Sequence, residues 1–130
     1  MRGYSVTNVF TKKEQALYGV ARVLVESLPE IPGLRCHELT RAVGVILGLE
    51  VQDGHHGMAD HSWLLIPATK ARCRGSILDV YSVGSLPLVR ICDIYFGLPH
   101  EQSYKPLEPR DDIDEEMVMR LVDLMQRRLL

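Results

Sequence analysis

At 130 residues, of which 46% are apolar, the chain has the size of one domain, residues 1–130, built on a single core. Fifteen Lys and Arg face 17 Asp and Glu for a formal charge of −2, and no basic stretch is interleaved with aromatics, so the electrostatic footprint of a nucleic-acid binder is missing. No stretch reaches membrane-spanning length and residues 1–13 carry no apolar secretory run, so a cytoplasmic protein without a membrane partner is expected.

Thr11-Lys12-Lys13-Glu14 has the form of a capping box, and Leu17, Val20, Ala21, Leu24, Val25 and Leu28 follow at helical spacing, which predicts a helix over Thr11–Leu28. The Pro29–Gly33 run breaks it. A second helix opens at Cys36, carries a stripe of Leu39, Ala42, Val43, Ile46 and Leu47, and ends near Gly48. Leu49–Gln52 reads as a short strand. The polar, glycine-containing Asp53–Asp60 reads as a loop that Gly54 and Gly57 would let move as a lid. Apolar β-formers return over His61–Pro67 and again over Ser76–Val83, separated by a polar stretch, and a hairpin is the simplest connection. Leu86–Phe96 is too mixed in period to assign, and Gly97–Arg110, with three prolines, reads as irregular. Asp112–Leu129 is a helix with an Asp112–Glu115 capping box, acids in its first turn and Arg127 and Arg128 in its last. The acidic Asp111–Glu116 cluster is explained by capping. The sum is an α+β domain in which the N-terminal and cysteine-bearing helices pack on a small antiparallel sheet, with a C-terminal helix.

Cys36, Cys73 and Cys92 lack the paired spacing of a zinc ribbon or redox motif, and their odd number suits reduced thiols. Cys36 stands at a helix N-terminus, where unpaired amides and the helix dipole favour the reactive thiolate. His61 and Asp79 lie in the two strands of the expected hairpin. Alternation puts His61, Trp63 and Leu65 on one face, and Ile77, Asp79 and Tyr81 on one face of the partner. A register opposing His61 to Asp79 would let a carboxylate bond the imidazole. Nucleophile, base and orienting acid are then Cys36, His61 and Asp79, a set suited to acyl transfer or amide hydrolysis on a peptide or protein substrate with no cofactor. The Cys36 backbone amide is the expected oxyanion donor.

The helix-opening Cys36, the His61-Ser62-Trp63 strand and the Ile77-Leu78-Asp79-Val80-Tyr81 strand resemble the core of the transglutaminase-like branch of the papain-like superfamily. The resemblance spans roughly Pro29 to Val83 and implies a cysteine peptidase, amidase or transglutaminase-like activity. Two departures are visible. Glu30 stands near the position of the oxyanion glutamine of papain-like peptidases and is given no such role, and the interval from Cys36 to His61 leaves little room for inserted strands.

Trp63, His55, His56 and Arg35 are the candidate substrate-binding residues, the two histidines lining the entrance, Trp63 a pocket wall, and Arg35 adjoining the thiol. The alternative chemistry is a zinc hydrolase using the His55, His56 and His61 cluster, with Asp60 and with Cys36 or His37 nearby, because imidazole, carboxylate and thiolate are all zinc ligands. A non-catalytic binding module on the same fold is the third possibility.

Overall fold

Thr11 starts the first helix through the expected capping box: its hydroxyl accepts the Glu14 amide at 3.1 Å, and the Glu14 carboxylate accepts the Thr11 amide at 2.8 Å. In the computed structural model, which describes residues 10–69, 75–83, 86–93 and 104–129 and the backbone alone of 81–83, 86–87 and 92–93, this helix is α1 (Lys12–Glu26). The rest follows as α2 (Cys36–Leu47), β1 (Glu50–His56), β2 (Ala59–Ile66), β3 (Ser76–Val83), β4 (Leu86–Asp93), β5 (Tyr104–Pro106) and α3 (Glu115–Arg127). Five antiparallel strands form one sheet in the order β4-β3-β2-β1-β5. The class is α+β. Cys73 lies outside the described residues, as do residues 94–96 of the stretch left unassigned and 97–103 of the one read as irregular.

The helices cover the sheet face that carries Leu64, Ile66, Leu78 and Val80, all buried with Leu24, Val25, Val43 and Leu121 in one apolar cluster. Each such side chain contributes roughly 1.5–3 kcal/mol of burial. Gly44 lets α2 settle on β2, since a β-carbon there would stand 2.9 Å from Leu64 Cδ2 and from the Leu49 carbonyl oxygen. Gly48, with φ of 70°, ends α2 in the left-handed conformation that glycine adopts without strain. Ser76 donates to the buried Glu14 carboxylate at 2.6 Å, tying the start of β3 to the start of α1.

Four expectations need correction. Asp53–Asp60 is no loop: β1 runs through His56, a two-residue Gly57-Met58 turn follows, and β2 begins at Ala59. Its polar residues misled because their partners come from elsewhere: Asp53, 4% exposed, is satisfied by Arg41 of α2 and Ser62 of β2. Nor is it a lid, since β1 is bonded to β2 on one side and to β5 on the other, and Gly54 is a site of close approach rather than a hinge. Second, Leu86–Asp93 is a strand, paired with all of β3. Third, within Gly97–Arg110 the residues Tyr104–Pro106 pair with Gly54–His56. Fourth, α3 is capped by Asp114, whose carboxylate accepts the Met117 amide at 3.1 Å, rather than by Asp112.

The β2–β3 register also differs. Leu64 faces Leu78, Leu65 faces Ile77 and Ile66 faces Ser76, which carried onward aligns Asp79 with Trp63 and sets His61 two residues further along. His61 and Asp79 are diagonal neighbours on a shared face, within reach of a long side chain.

Candidate active site

Cys36 is the first residue of α2, after a Pro29–Gly33 turn in which Gly33 takes a φ of 76°. Its Sγ, partly exposed, lies 3.3 Å from His61 Nδ1 on β2. His61 Nε2 lies 2.5 Å from Asp79 Oδ1 on β3, both side chains being buried. Asp79 Oδ2 accepts the hydroxyl of Tyr104 from β5 and sits 3.4 Å from Arg90 Nη2, whose residue is its direct neighbour on β4. The Arg90 guanidinium also donates to the Tyr104 oxygen at 2.6 Å and to His56 Nε2 at 2.9 Å. One polar chain therefore runs from α2 across β2, β3, β4 and β5.

Counting hydrogens fixes the tautomer. A carboxylate can only accept, so Tyr104 gives its single hydroxyl hydrogen to Asp79 and His61 must carry a hydrogen on Nε2. Nδ1, facing the sulfur, is left as the position where a proton comes and goes. Burial opposes a charge on His61, but the bonds to Asp79 and Cys36 outweigh it and raise the imidazole from the ordinary 6.5 to about 9. Burial likewise penalises the Asp79 carboxylate, yet the His61 bond and charge, the Tyr104 hydroxyl and Arg90 together hold it below the usual range. His56 moves the other way, down, through burial and the Arg90 charge.

A second polar cluster backs the sulfur. His37 Nδ1 lies 2.7 Å from Ser62 Oγ, Ser62 Oγ donates to Asp53 Oδ1 at 2.5 Å, and Arg41 grips both Asp53 oxygens at 3.0 and 2.5 Å. The Arg110 amide adds a bond to Asp53 Oδ2 at 3.0 Å. Desolvation works against the Asp53 charge, but Arg41, Ser62 and that amide prevail and lower the carboxyl to about 2. The cluster pins α2 to β1, to β2 and to the segment after β5, so the helix bearing Cys36 has little freedom to shift against His61.

The structure thus brings Cys36, His61 and Asp79 together. Of the residues expected around them, Trp63 is 1% exposed and forms the floor, its ring centroid 6.3 Å from that of His61 and edge-on to Tyr104 at 5.2 Å. His56 stacks on Tyr104 at 4.2 Å and stands 5.6 Å from His61. His55 belongs to the opposite sheet face by strand alternation, paired with Asp60 at 3.0 Å. Arg35 is engaged by Glu38 of its own helix and by Asp112 ahead of α3. Consecutive strand positions send His55 and His56 to opposite faces, so the proposed zinc set is not assembled; among the described residues no group of three or more histidines, cysteines or acids is arranged to hold a metal ion.

Sequence reasoning missed Tyr104, Arg90, Ser62 and Asp53, and named His37 only as a possible zinc ligand. Arg90 is legible only once β3 and β4 are paired, and Tyr104 sits in a three-residue strand with no alternation to reveal it. Asp53 and Ser62 become a pair only in the β1–β2 register. No family model matches the chain, and no match was found among curated proteins or solved structures.

Proposed function

We propose that this protein is a cysteine-dependent enzyme of acyl transfer or amide hydrolysis, of the peptidase, amidase or transglutaminase-like kind, acting on a peptide or protein within a minimal papain-like or transglutaminase-like core. One observation carries it: Cys36 Sγ lies 3.3 Å from His61 Nδ1 while His61 Nε2 lies 2.5 Å from Asp79. Nucleophile, base and orienter are in hydrogen-bond sequence and the sulfur is partly exposed, the arrangement that activated thiols require.

In this mechanism the sulfur attacks an amide carbonyl as the thiolate, its proton held on His61 Nδ1. The C–N bond breaks as His61 returns that proton to the departing amine, which leaves a thioester on Cys36. Water or an amine then attacks the thioester, and the sulfur departs. The first amides of α2, which no side chain of the capping residue Arg35 occupies, would receive the oxyanion. Buried Asp79 keeps the ring oriented and steadies the imidazolium.

The test is covalent labelling. Cys36 is expected to take up iodoacetamide faster than Cys73 and Cys92, and to form an acyl adduct with a p-nitrophenyl ester visible by intact mass; Cys36→Ala should abolish the adduct in a protein that still folds. Slow, equal labelling of all three cysteines, or ester turnover unchanged in Cys36→Ala, would overturn the proposal.

A further inference from the structure

The bonded series Arg41, Asp53, Ser62 and His37 ends beside the Cys36 sulfur, and its hydrogens can be placed from the far end. Asp53 is buried and held ionised by Arg41, by Ser62 and by the Arg110 amide, so it can only accept. Ser62 therefore gives its one hydroxyl hydrogen to Asp53 Oδ1 at 2.5 Å. The 2.7 Å contact between Ser62 Oγ and His37 Nδ1 then takes its hydrogen from the ring, and Nδ1 is the protonated nitrogen. That same nitrogen stands 3.8 Å from Cys36 Sγ. The edge of His37 that faces the sulfur thus carries a hydrogen. Without the bonds through Ser62 to Asp53, a bare lone pair could occupy that edge and oppose a charge on the sulfur. Burial, then the charges of Arg110 and Arg35, hold the ring neutral against the opposing pull of Glu38 and Asp53, so the arrangement does not depend on a second imidazolium.

The two nitrogens beside the sulfur therefore differ in kind. On His61 Nδ1, 3.3 Å away, a proton comes and goes; on His37 Nδ1 it is fixed by its bond to Ser62. We propose that His37 is a standing donor to the Cys36 thiolate, its Nδ1–H shared between Ser62 Oγ and Sγ, with Ser62, Asp53 and Arg41 as the positioning residues that keep that hydrogen on this edge of the ring. The sulfur carries its full charge twice in the reaction, before it attacks and again when it leaves the thioester. In the second event the C–S bond breaks with its electron pair passing to sulfur, while the proton lost by the attacking water or amine comes to rest on His61. His37 gains and loses no proton in either event, so its donor is present at both. Above about 9, where His61 is no longer protonated, the His37 hydrogen still faces the sulfur.

This role rests on the Cys36 chemistry proposed above, and the experiment separates the two. The amide nitrogen of asparagine branches from Cγ as Nδ1 does, so His37→Asn returns a hydrogen to Ser62 and the sulfur, whereas His37→Leu puts a methyl group there. Iodoacetamide alkylation of Cys36 is followed by peptide mass in wild type and both variants. At about pH 6 the rate follows the thiolate fraction. There His37→Leu is expected to fall on the order of tenfold, the size of one hydrogen bond to a charge, and His37→Asn to stay within about twofold of wild type. At about pH 10, where an ordinary thiol is ionised, His37→Leu should match wild type. Equal loss in the two variants, a loss as large at the higher pH as at the lower, or no loss in His37→Leu overturns the donor role. A wild-type Cys36 that labels no faster than Cys73 and Cys92 overturns the cysteine chemistry itself. A measurement on unaltered protein guards against misfolding of the variants: heteronuclear NMR of the imidazole nitrogens should find His37 as the Nδ1–H tautomer at neutral pH, with an Nδ1 resonance that shifts when Cys36 is alkylated. An Nε2–H tautomer contradicts the proposal.

Discussion

Replacing Asp79 by Asn isolates the charge that organises the site, because the side chain keeps its shape. His61 in the folded protein titrates at about 9 in place of 6.5. A group whose folded value is raised lends stability fully below its unfolded value and loses it as pH climbs through the folded one. The relevant window runs from about 6.5 to about 9. For a ring sealed from water that displacement corresponds to about 3 kcal/mol, and screening at the partly wet rim reduces it to about 2 kcal/mol. In Asp79→Asn the carboxylate is gone, burial acts with little opposition and His61 stays neutral. Urea unfolding followed through Trp63, the single tryptophan, should therefore show wild type ahead of the variant by a margin that shrinks by about 2 kcal/mol between about pH 6.5 and about pH 9. Groups untouched by the substitution cancel in the difference. A margin constant across that window would mean that His61 is not held protonated by Asp79.

Two further substitutions probe the support of the acid and its strand. Tyr104→Phe removes the hydroxyl donor to buried Asp79 and is expected to cost about 2 kcal/mol, read as a lowered urea midpoint with an unchanged slope; a midpoint equal to wild type would show that this bond is not formed. Gly54→Ala would drive a β-carbon to 2.0 Å from the Lys105 carbonyl oxygen, so β5 should lift from β1. Hydrogen exchange at the Leu107 amide, which donates to the Asp53 carbonyl at 2.9 Å, should then quicken by at least about tenfold, and unaltered protection would refute the close approach.

Elements with strong local patterns were legible from the sequence and those held by distant partners were not. Thr11 and Glu14 bond each other across a single turn, and the apolar stripe of α2 repeats at 3.6 residues, so both helices could be placed. The strand at Ser76–Val83 carries its own β-formers. Asp53 and Asp60 look like loop residues because aspartate and glycine favour turns in isolation, and Asp53 becomes a buried strand residue only through Arg41, Ser62 and Arg110 from other segments. Cys36, His61 and Asp79 could be chosen because each opens or occupies a recognisable element. Tyr104 could not, since its value lies wholly in reaching Asp79, 25 positions earlier.

The sheet order puts β5 at the far edge from β4, although the two are near in sequence. Synthesis from the N-terminus therefore delivers sulfur, imidazole and carboxylate well before the phenol that completes the bonding of that carboxylate. A nascent chain halted short of residue 104 already carries Cys36, His61 and Asp79 but leaves Asp79 one donor short. The bonding around that buried carboxylate therefore closes only when Tyr104, 25 positions after Asp79, is in place.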